Sequence, residues 1–129
     1  MKTLGIHHIA IICSNYADSK HFYVDLLGFP IIQETYRAER NSYKLDLQVN
    51  DRTQIELFSF PAPPPRPNSP EACGLRHLAF AVSDLDATVA DLTRKEIAVE
   101  PIRLDELTGR RFTFFKDPDG LPLELYEAG

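Results

Sequence analysis

The sequence predicts an α+β fold built from two βαβββ repeats, and three observations carry that prediction. First, Ile6–Cys13 (Ile-His-His-Ile-Ala-Ile-Ile-Cys) and Leu75–Val82 (Leu-Arg-His-Leu-Ala-Phe-Ala-Val) share one pattern. Setting His77 over His8 aligns Leu78 with Ile9, Ala79 with Ala10, Phe80 with Ile11 and Ser83 with Ser14, and an amphipathic stretch follows each. Second, a glutamate flanked by aliphatic residues recurs at a matching distance, Glu56 in Ile55-Glu56-Leu57 and Glu124 in Leu123-Glu124-Leu125. Third, the copies are separated by Pro61–Pro70, where six prolines in ten residues exclude both helix and sheet pairing and predict an extended polyproline linker. The repeats run 4–60 and 73–129, with the linker over 61–72.

In Ile6–Cys13 a period of two puts His8, Ala10 and Ile12 on one face and His7, Ile9, Ile11 and Cys13 on the other, both apolar enough to be covered. Asn15 caps a helix whose positions Ser19, Phe22, Tyr23, Leu26 and Leu27 fall on one stripe, and Gly28 stops it. Strands are expected at Ile31–Tyr36, Tyr43–Val49 and Gln54–Phe60, the last two joined by the turn Asn50-Asp51-Arg52. The second repeat runs through strand Leu75–Val82 to a helix opened by a Ser83-x-x-Asp86 capping box with Leu85, Val89 and Leu92 inward. Strands at Ala98–Leu104, Arg111–Phe115 and Leu121–Tyr126 complete it, with Asp117-Pro118-Asp119-Gly120 as the last turn.

At 129 residues and 43% hydrophobic content the chain is one domain's worth of core. A net charge of −5 argues against a nucleic-acid or anionic-membrane surface, which would need clustered Lys and Arg to offset phosphate charge, so a small molecule is the expected partner. There is no apolar run of bilayer length and no signal-peptide core after Met1, which predicts a cytoplasmic protein. Cys13 and Cys73 read as reduced thiols, Cys13 in the core.

A lone strand histidine is ordinarily a structural residue. Here, however, a histidine and a glutamate recur together in both copies, so pseudo-twofold packing would gather His8, Glu56, His77 and Glu124. Two imidazoles and two carboxylates form an N2O2 set suited to one divalent ion, with positions left open for substrate. A buried His–Glu hydrogen-bonded network is the plainer alternative. Ala10, Ala79 and Ala81 on the histidine faces leave room for a ligand, and Phe58, Phe60 and Tyr126 on the glutamate faces would wall it or pack as core. His7, on the opposite parity, should face the helix layer, and His21 lies among polar helix positions; Phe112, Phe114 and Phe115 fit cleft or core equally.

Paired βαβββ units, the His-x-Ala opening strands, Phe22-Tyr23 with Leu27-Gly28-Phe29, and Asp117-Pro118-Asp119-Gly120 before Leu123-Glu124-Leu125 together resemble the vicinal oxygen chelate superfamily, and within it glyoxalase I. The resemblance spans essentially the whole chain. It implies an open, barrel-like eight-stranded cleft, with His8, Glu56, His77 and Glu124 as ligands of one divalent metal ion, Ni²⁺ or Zn²⁺ first, Co²⁺ or Mn²⁺ next. The implied activity is that of a lyase or isomerase moving the proton α to a carbonyl through a metal-bound enediolate, in a hemithioacetal or related substrate. Glu124 is the implied base and Glu56 the runner-up. It further implies a homodimer whose sites are shared, His8 and Glu56 from one chain with His77 and Glu124 from the other.

Two departures concern the substrate. Ile12 stands where glutathione-using glyoxalases typically carry Arg, and Phe60 where they tend to carry Asn. Arg37, Arg40 and Arg76 could replace the lost charge; read singly, each belongs on solvated surface. A non-catalytic binder of the bleomycin-resistance type is a second reading. An acyl-CoA epimerase is a third, and it would need a basic groove of which the linear sequence shows no sign.

Overall fold

The computed structural model describes residues 1–129, which divide into two compact units, Met1–Pro65 and Arg66–Gly129. Each unit is one four-stranded open mixed sheet with a helical segment, the βαβββ arrangement expected.

In the first unit the strands are β1 (His8–Cys13), β2 (Ile31–Arg37), β3 (Ser42–Gln48) and β4 (Gln54–Ser59), in the order β1-β4-β3-β2. β1 runs parallel to β4, and β4, β3 and β2 run antiparallel in sequence. Ile11, Cys13, Leu45, Leu47, Ile55 and Leu57 are buried on one face, packed with Phe22 and Tyr23 of the helical segment. The other face carries His8, Ala10 and Ile12; Ile12 is 56% exposed, so the expectation that both faces of β1 are covered fails. Ile6 and His7 precede the strand.

The first helix departs from the simple amphipathic reading. Asn15 caps it as expected, its Oδ1 accepting the Asp18 N–H, but only Tyr16–Lys20 (α1) is α-helical and His21–Leu26 is a π-helix. The Leu27 N–H donates to the Phe22 carbonyl, five residues back, which widens the turn. Phe22 and Tyr23 stay buried while Leu26 and Leu27 rotate to half-buried positions, and Gly28 ends the segment at φ +80°. On the surface beside it, the Tyr16 hydroxyl donates to Glu34 at 2.5 Å and Lys20 pairs with the same carboxylate at 2.8 Å. Burial and then the Glu34 hydrogen bond push the Tyr16 phenol up; Lys20 and then Tyr16 hold Glu34 below the usual carboxylate range.

The second unit has strands β5 (Leu78–Val82), β6 (Arg103–Asp105), β7 (Arg110–Lys116) and β8 (Pro122–Glu127), ordered β5-β8-β7-β6, and helix α2 (Leu85–Arg94). Leu85, Leu92, Thr113, Phe115, Leu121, Leu123 and Leu125 form its buried side. Three boundaries differ from expectation. The cap of α2 is Asp84, whose side chain accepts the Ala87 N–H, and the Ser83 box does not form. His77 immediately precedes β5 instead of lying within it. The predicted Ala98–Leu104 strand shrinks to three residues: Glu96 takes a positive φ of 63° after the helix, and Pro101 offers no N–H for a ladder. Glu100 is tied, donating its N–H to the Phe114 carbonyl while its own carbonyl accepts the Thr113 hydroxyl.

Residues 61–77 contain no helix or strand, as the prolines require, but the segment is not extended throughout, since residues 68–71 form a turn. Arg66 pins it, donating to Asn68 and to the carbonyls of Leu75 and Arg76. Neither cysteine is in a disulfide; Cys13 is buried, its thiol donating to the Phe58 carbonyl at 3.3 Å, and Cys73 is exposed. No helix is long and apolar enough to cross a membrane.

Candidate functional site

Each sheet has one face closed by its buried apolar rows and one open face, and the predicted site residues lie on the open faces. In β1 and β4 the parallel register places Ala10 opposite Glu56; in β5 and β8 it places Ala79 opposite Glu124. In both units the histidine stands two residues before that alanine, so the same backbone arrangement brings imidazole to carboxylate twice. His8 Nδ1 lies 3.5 Å from Glu56 Oε2, and His77 Nε2 lies 2.9 Å from Glu124 Oε2. The glutamate side chains are 14% and 13% exposed. The neighbouring alanines supply no bulk above them.

The two pairs differ in what surrounds them. Across β3–β4 Glu56 faces Asp46, and the Lys44 ammonium lies 2.9 Å from Asp46 and 3.8 Å from Glu56. A cation is thus already present in the first unit. Across β7–β8 Glu124 faces Phe114, whose ring meets the His77 imidazole edge-on at 5.1 Å. No lysine or arginine pairs with Glu124, which sits between Ala79 and Phe114 with His77 as its partner.

Two histidine expectations are settled by geometry. His7 does not face the helix layer: it is exposed, and its Nδ1 lies 2.9 Å from His8 Nδ1, so it orients the His8 ring. Adjacent residues in a strand alternate faces, but His7 precedes β1, and only that departure from the strand lets the two rings meet. His21 is an exposed helix residue paired with Asp25 at 2.7 Å, as its polar surroundings indicated.

Each open face also carries an arginine laid over two phenylalanines. Arg37 lies 4.9 Å from the Phe58 ring and 5.8 Å from Phe60, and donates to Ser42 Oγ at 3.0 Å; it is half-buried, not a solvated surface residue. Arg103 lies 5.1 Å from Phe112 and 5.5 Å from Phe114. Phe112 and Phe114 therefore belong to the site face, and Phe115, 2% exposed, to the core. Arg40 is exposed, and Arg76 is exposed and paired with Glu71 at 2.6 Å.

In the second unit these residues border a cleft of about 760 Å³, in the range of small-molecule sites, with His77 and Glu124 in its lining. Four basic side chains, Arg66, Arg76, Arg103 and Lys116, lie around it. Sequence reasoning missed this gathering because the four are scattered over fifty residues and meet only through the loop 66–76 and the β6–β7 pairing.

As a metal site, the donors fit in kind and spacing. Imidazole nitrogen and carboxylate oxygen about 3 Å apart is the separation of two ligands each about 2.1 Å from one ion. They fall short in number within the chain, where no group of three or more His, Cys, Asp or Glu side chains comes together to hold an ion. What the fold forms is two separate His–Glu pairs.

Residues 5–125 match the family model described as Glyoxalase/Bleomycin resistance protein/Dioxygenase superfamily. The chain is 68% identical over 123 residues to the uncharacterized protein YwkD of Bacillus subtilis (strain 168), covering 95% of this chain and 96% of that protein. It is 62% identical over 122 residues to the uncharacterized protein YaeR of Escherichia coli (strain K12), covering 95% of each. At 30% identity over 125 residues it is similar to the metallothiol transferase FosB of Staphylococcus haemolyticus, covering 95% of this chain and 82% of that one. Among solved structures, a glyoxalase family protein from Enterococcus faecalis superposes with TM-score 0.90 at 49% identity, covering 96% and 98% of the two chains. TnmS3, an antibiotic binding protein from Streptomyces sp. CB03234, superposes with TM-score 0.78 at 25% identity, covering 100% and 99%.

Proposed function

The chain belongs to the glyoxalase/bleomycin resistance protein/dioxygenase superfamily, and from that premise we propose that it is a metal-dependent lyase or isomerase of the glyoxalase I type. Its substrate is a small molecule, a hemithioacetal or related compound with two vicinal oxygens. The observation that carries this reading is the repeated His–Glu pair, set by the same strand register in both sheets. A structural hydrogen bond has no reason to recur at matched positions on two open, ligand-accessible faces.

In this reading His8, Glu56, His77 and Glu124 hold one divalent ion, Ni²⁺ or Zn²⁺ before Co²⁺ or Mn²⁺. Two donors per unit are too few, so a homodimer completes each site, His8 and Glu56 coming from one chain and His77 and Glu124 from its partner. The ion supplies a Lewis acid that stabilises negative charge on the substrate oxygens. Glu124 takes the proton from the carbon α to the carbonyl on a carboxylate oxygen and returns it to the adjacent carbon. Its neighbours Ala79 and Phe114 support the assignment, since no ammonium or guanidinium competes for its carboxylate. Glu56, already facing Lys44 at 3.8 Å, is the second choice as base. Phe112 and Phe114 keep water from the reacting carbon. The protein works in the cytoplasm.

The test is turnover by chain loaded separately with Ni²⁺, Co²⁺, Mn²⁺ and Zn²⁺, given methylglyoxal with glutathione and then with other thiols. Product with any pairing supports the reading; no product with all of them overturns it for hemithioacetals. A second reading, a non-catalytic binder, is favoured by the apolar Ile12 and Phe60 and by the likeness to an antibiotic binding protein. Metal analysis separates the two, because a binder of apolar compounds has no use for bound metal.

A further inference from the structure

The cleft of the second unit has a charge pattern that the His77–Glu124 pair does not explain. The protein as a whole carries −5, yet four basic side chains line this cleft against three acidic ones, Glu71, Glu100 and Glu124. Of those carboxylates, Glu71 is taken by Arg76 at 2.6 Å and Glu124 by His77 at 2.9 Å. Arg66 spends its donors on Asn68 and two backbone carbonyls, so no carboxylate offsets its charge. Lys116 is exposed and has no partner. It follows Phe112 and Phe114 at the period of two, on the same face and roughly 7 Å beyond Phe114 along the strand.

Arg103 is the best-placed donor of the four. Its guanidinium carbon lies over the Phe112 and Phe114 rings, 5.1 and 5.5 Å from their centroids. Its one carboxylate contact is Glu100 at 3.7 Å, with both side chains more than half exposed (53% and 55%). A guanidinium over aromatic rings whose only carboxylate contact is a loose surface pair suits a planar carboxylate or a phosphate oxygen pair.

We propose that this cleft recognises an anionic group, a carboxylate or a phosphate ester, on its small-molecule ligand, bound by Arg103 and Lys116 over the Phe112–Phe114 face. This names the substrate class of the site proposed above and rests on that placement of substrate, but not on the metal or the proton transfer. Glu100 is the internal competitor that the ligand anion displaces.

The probes are phenyl phosphate, phenylacetate and the neutral benzyl alcohol, titrated calorimetrically into the full chain after metal is removed with a chelator. Binding measured this way is independent of turnover, so its failure is separable from failure of the enzymatic reading. The proposal expects an anion to bind about tenfold or more tighter than benzyl alcohol, the worth of one charge-assisted hydrogen bond, and to weaken with salt. The tighter of the two anions tells phosphate ester from carboxylate. Arg103→Gln should weaken it about tenfold and Lys116→Gln about threefold, whereas Glu100→Gln, which keeps the backbone bonds of residue 100, should tighten it about threefold. Equal affinity for benzyl alcohol overturns the proposal. So does an Arg103→Gln chain of unchanged melting temperature that binds the anion within about twofold of the parent, or a Glu100→Gln chain that binds it more weakly.

Discussion

Replacing Asp117 or Asn50 by alanine removes the same pair of hydrogen bonds from equivalent turns of the two repeats, and the structure predicts very different costs. Asp117 Oδ1 accepts the N–H groups of Asp119 and Leu121, both at 2.9 Å, between β7 and β8. Asn50 Oδ1 accepts those of Arg52 and Thr53 at 2.8 and 3.0 Å, between β3 and β4. Asp117 is 6% exposed and Leu121 equally buried, whereas Asn50 is exposed. At the first turn water replaces the lost acceptor, and Asn50→Ala should cost about 0.5–1.5 kcal/mol. At the second the Leu121 amide stays buried without a partner and the Asp119 amide half-buried, and a charge-assisted bond is worth roughly twice a neutral one, so Asp117→Ala should cost about 3–5 kcal/mol. Asp117→Asn, which keeps one acceptor oxygen and loses the charge, should cost about 1–2 kcal/mol. At about 3–4 °C per kcal/mol for a chain of this size, thermal unfolding at pH 7 should show Asp117→Ala falling about 10–20 °C and Asn50→Ala less than about 6 °C. Equal shifts for the two alanine variants would refute the claim that burial, and not bond count, decides the cost.

Three further outcomes follow from the same structure. Glu124→Gln preserves shape between Ala79 and Phe114 and should lower kcat about 10²–10⁴-fold while bound metal, measured by elemental analysis, changes far less; full activity in that variant removes Glu124 as base. Mixing a His8→Ala chain with a Glu124→Ala chain should restore activity, because a shared-site heterodimer regains one intact His8–Glu56–His77–Glu124 set; sites built within single chains would recover nothing. Arg111 bridges Asp86 at 2.8 Å and Glu127 at 2.7 Å and holds both carboxyls below their usual range, its hydrogen bonds being the main cause. Carboxyls depressed in the folded state stabilise it above the unfolded pKa of about 4 and lose that contribution as pH falls through the lower folded values. The urea midpoint should therefore drop between about pH 5 and pH 2, and Arg111→Gln should flatten that drop; an unchanged slope in the variant would show the bridge to be irrelevant.

Much of the fold was legible because strand alternation and the doubled pattern are properties of single segments. The two strands that open the repeats, the Asn15 cap and the Asp117-Pro118-Asp119-Gly120 turn each depend on residues within one window, and each formed. What was not legible depended on competition between windows. The stripe of Phe22, Tyr23, Leu26 and Leu27 fits an α-helix, yet burial of the first two against β-strand rows wins and the chain pays in a π turn after them. The Ala98–Leu104 segment has strand composition, but Pro101 and the left-handed Glu96 leave it only one ladder bond before Arg103.

The site was half legible for the same reason. His8 with Glu56 and His77 with Glu124 could be matched by counting, since parallel pairing of a repeat's first and last strands converts equal sequence distance into equal position. The aromatic and cationic groups could not. Arg103 reaches Phe112 only because β6 pairs with β7 in that register, and an offset of one residue would have turned Arg103 to the opposite face and Leu104 to the cleft. Arg66 enters only because its guanidinium captures the carbonyls of Leu75 and Arg76 and folds the proline-rich segment back to the cleft rim. The His–Glu pairs and the arginine over two phenylalanines are thus features both repeats share, and the loop that brings Arg66 to the cleft is present in the second alone. In the reading proposed above, the shared strands would carry the reacting pair, and the Arg66 loop with the shortened β6 the choice of ligand.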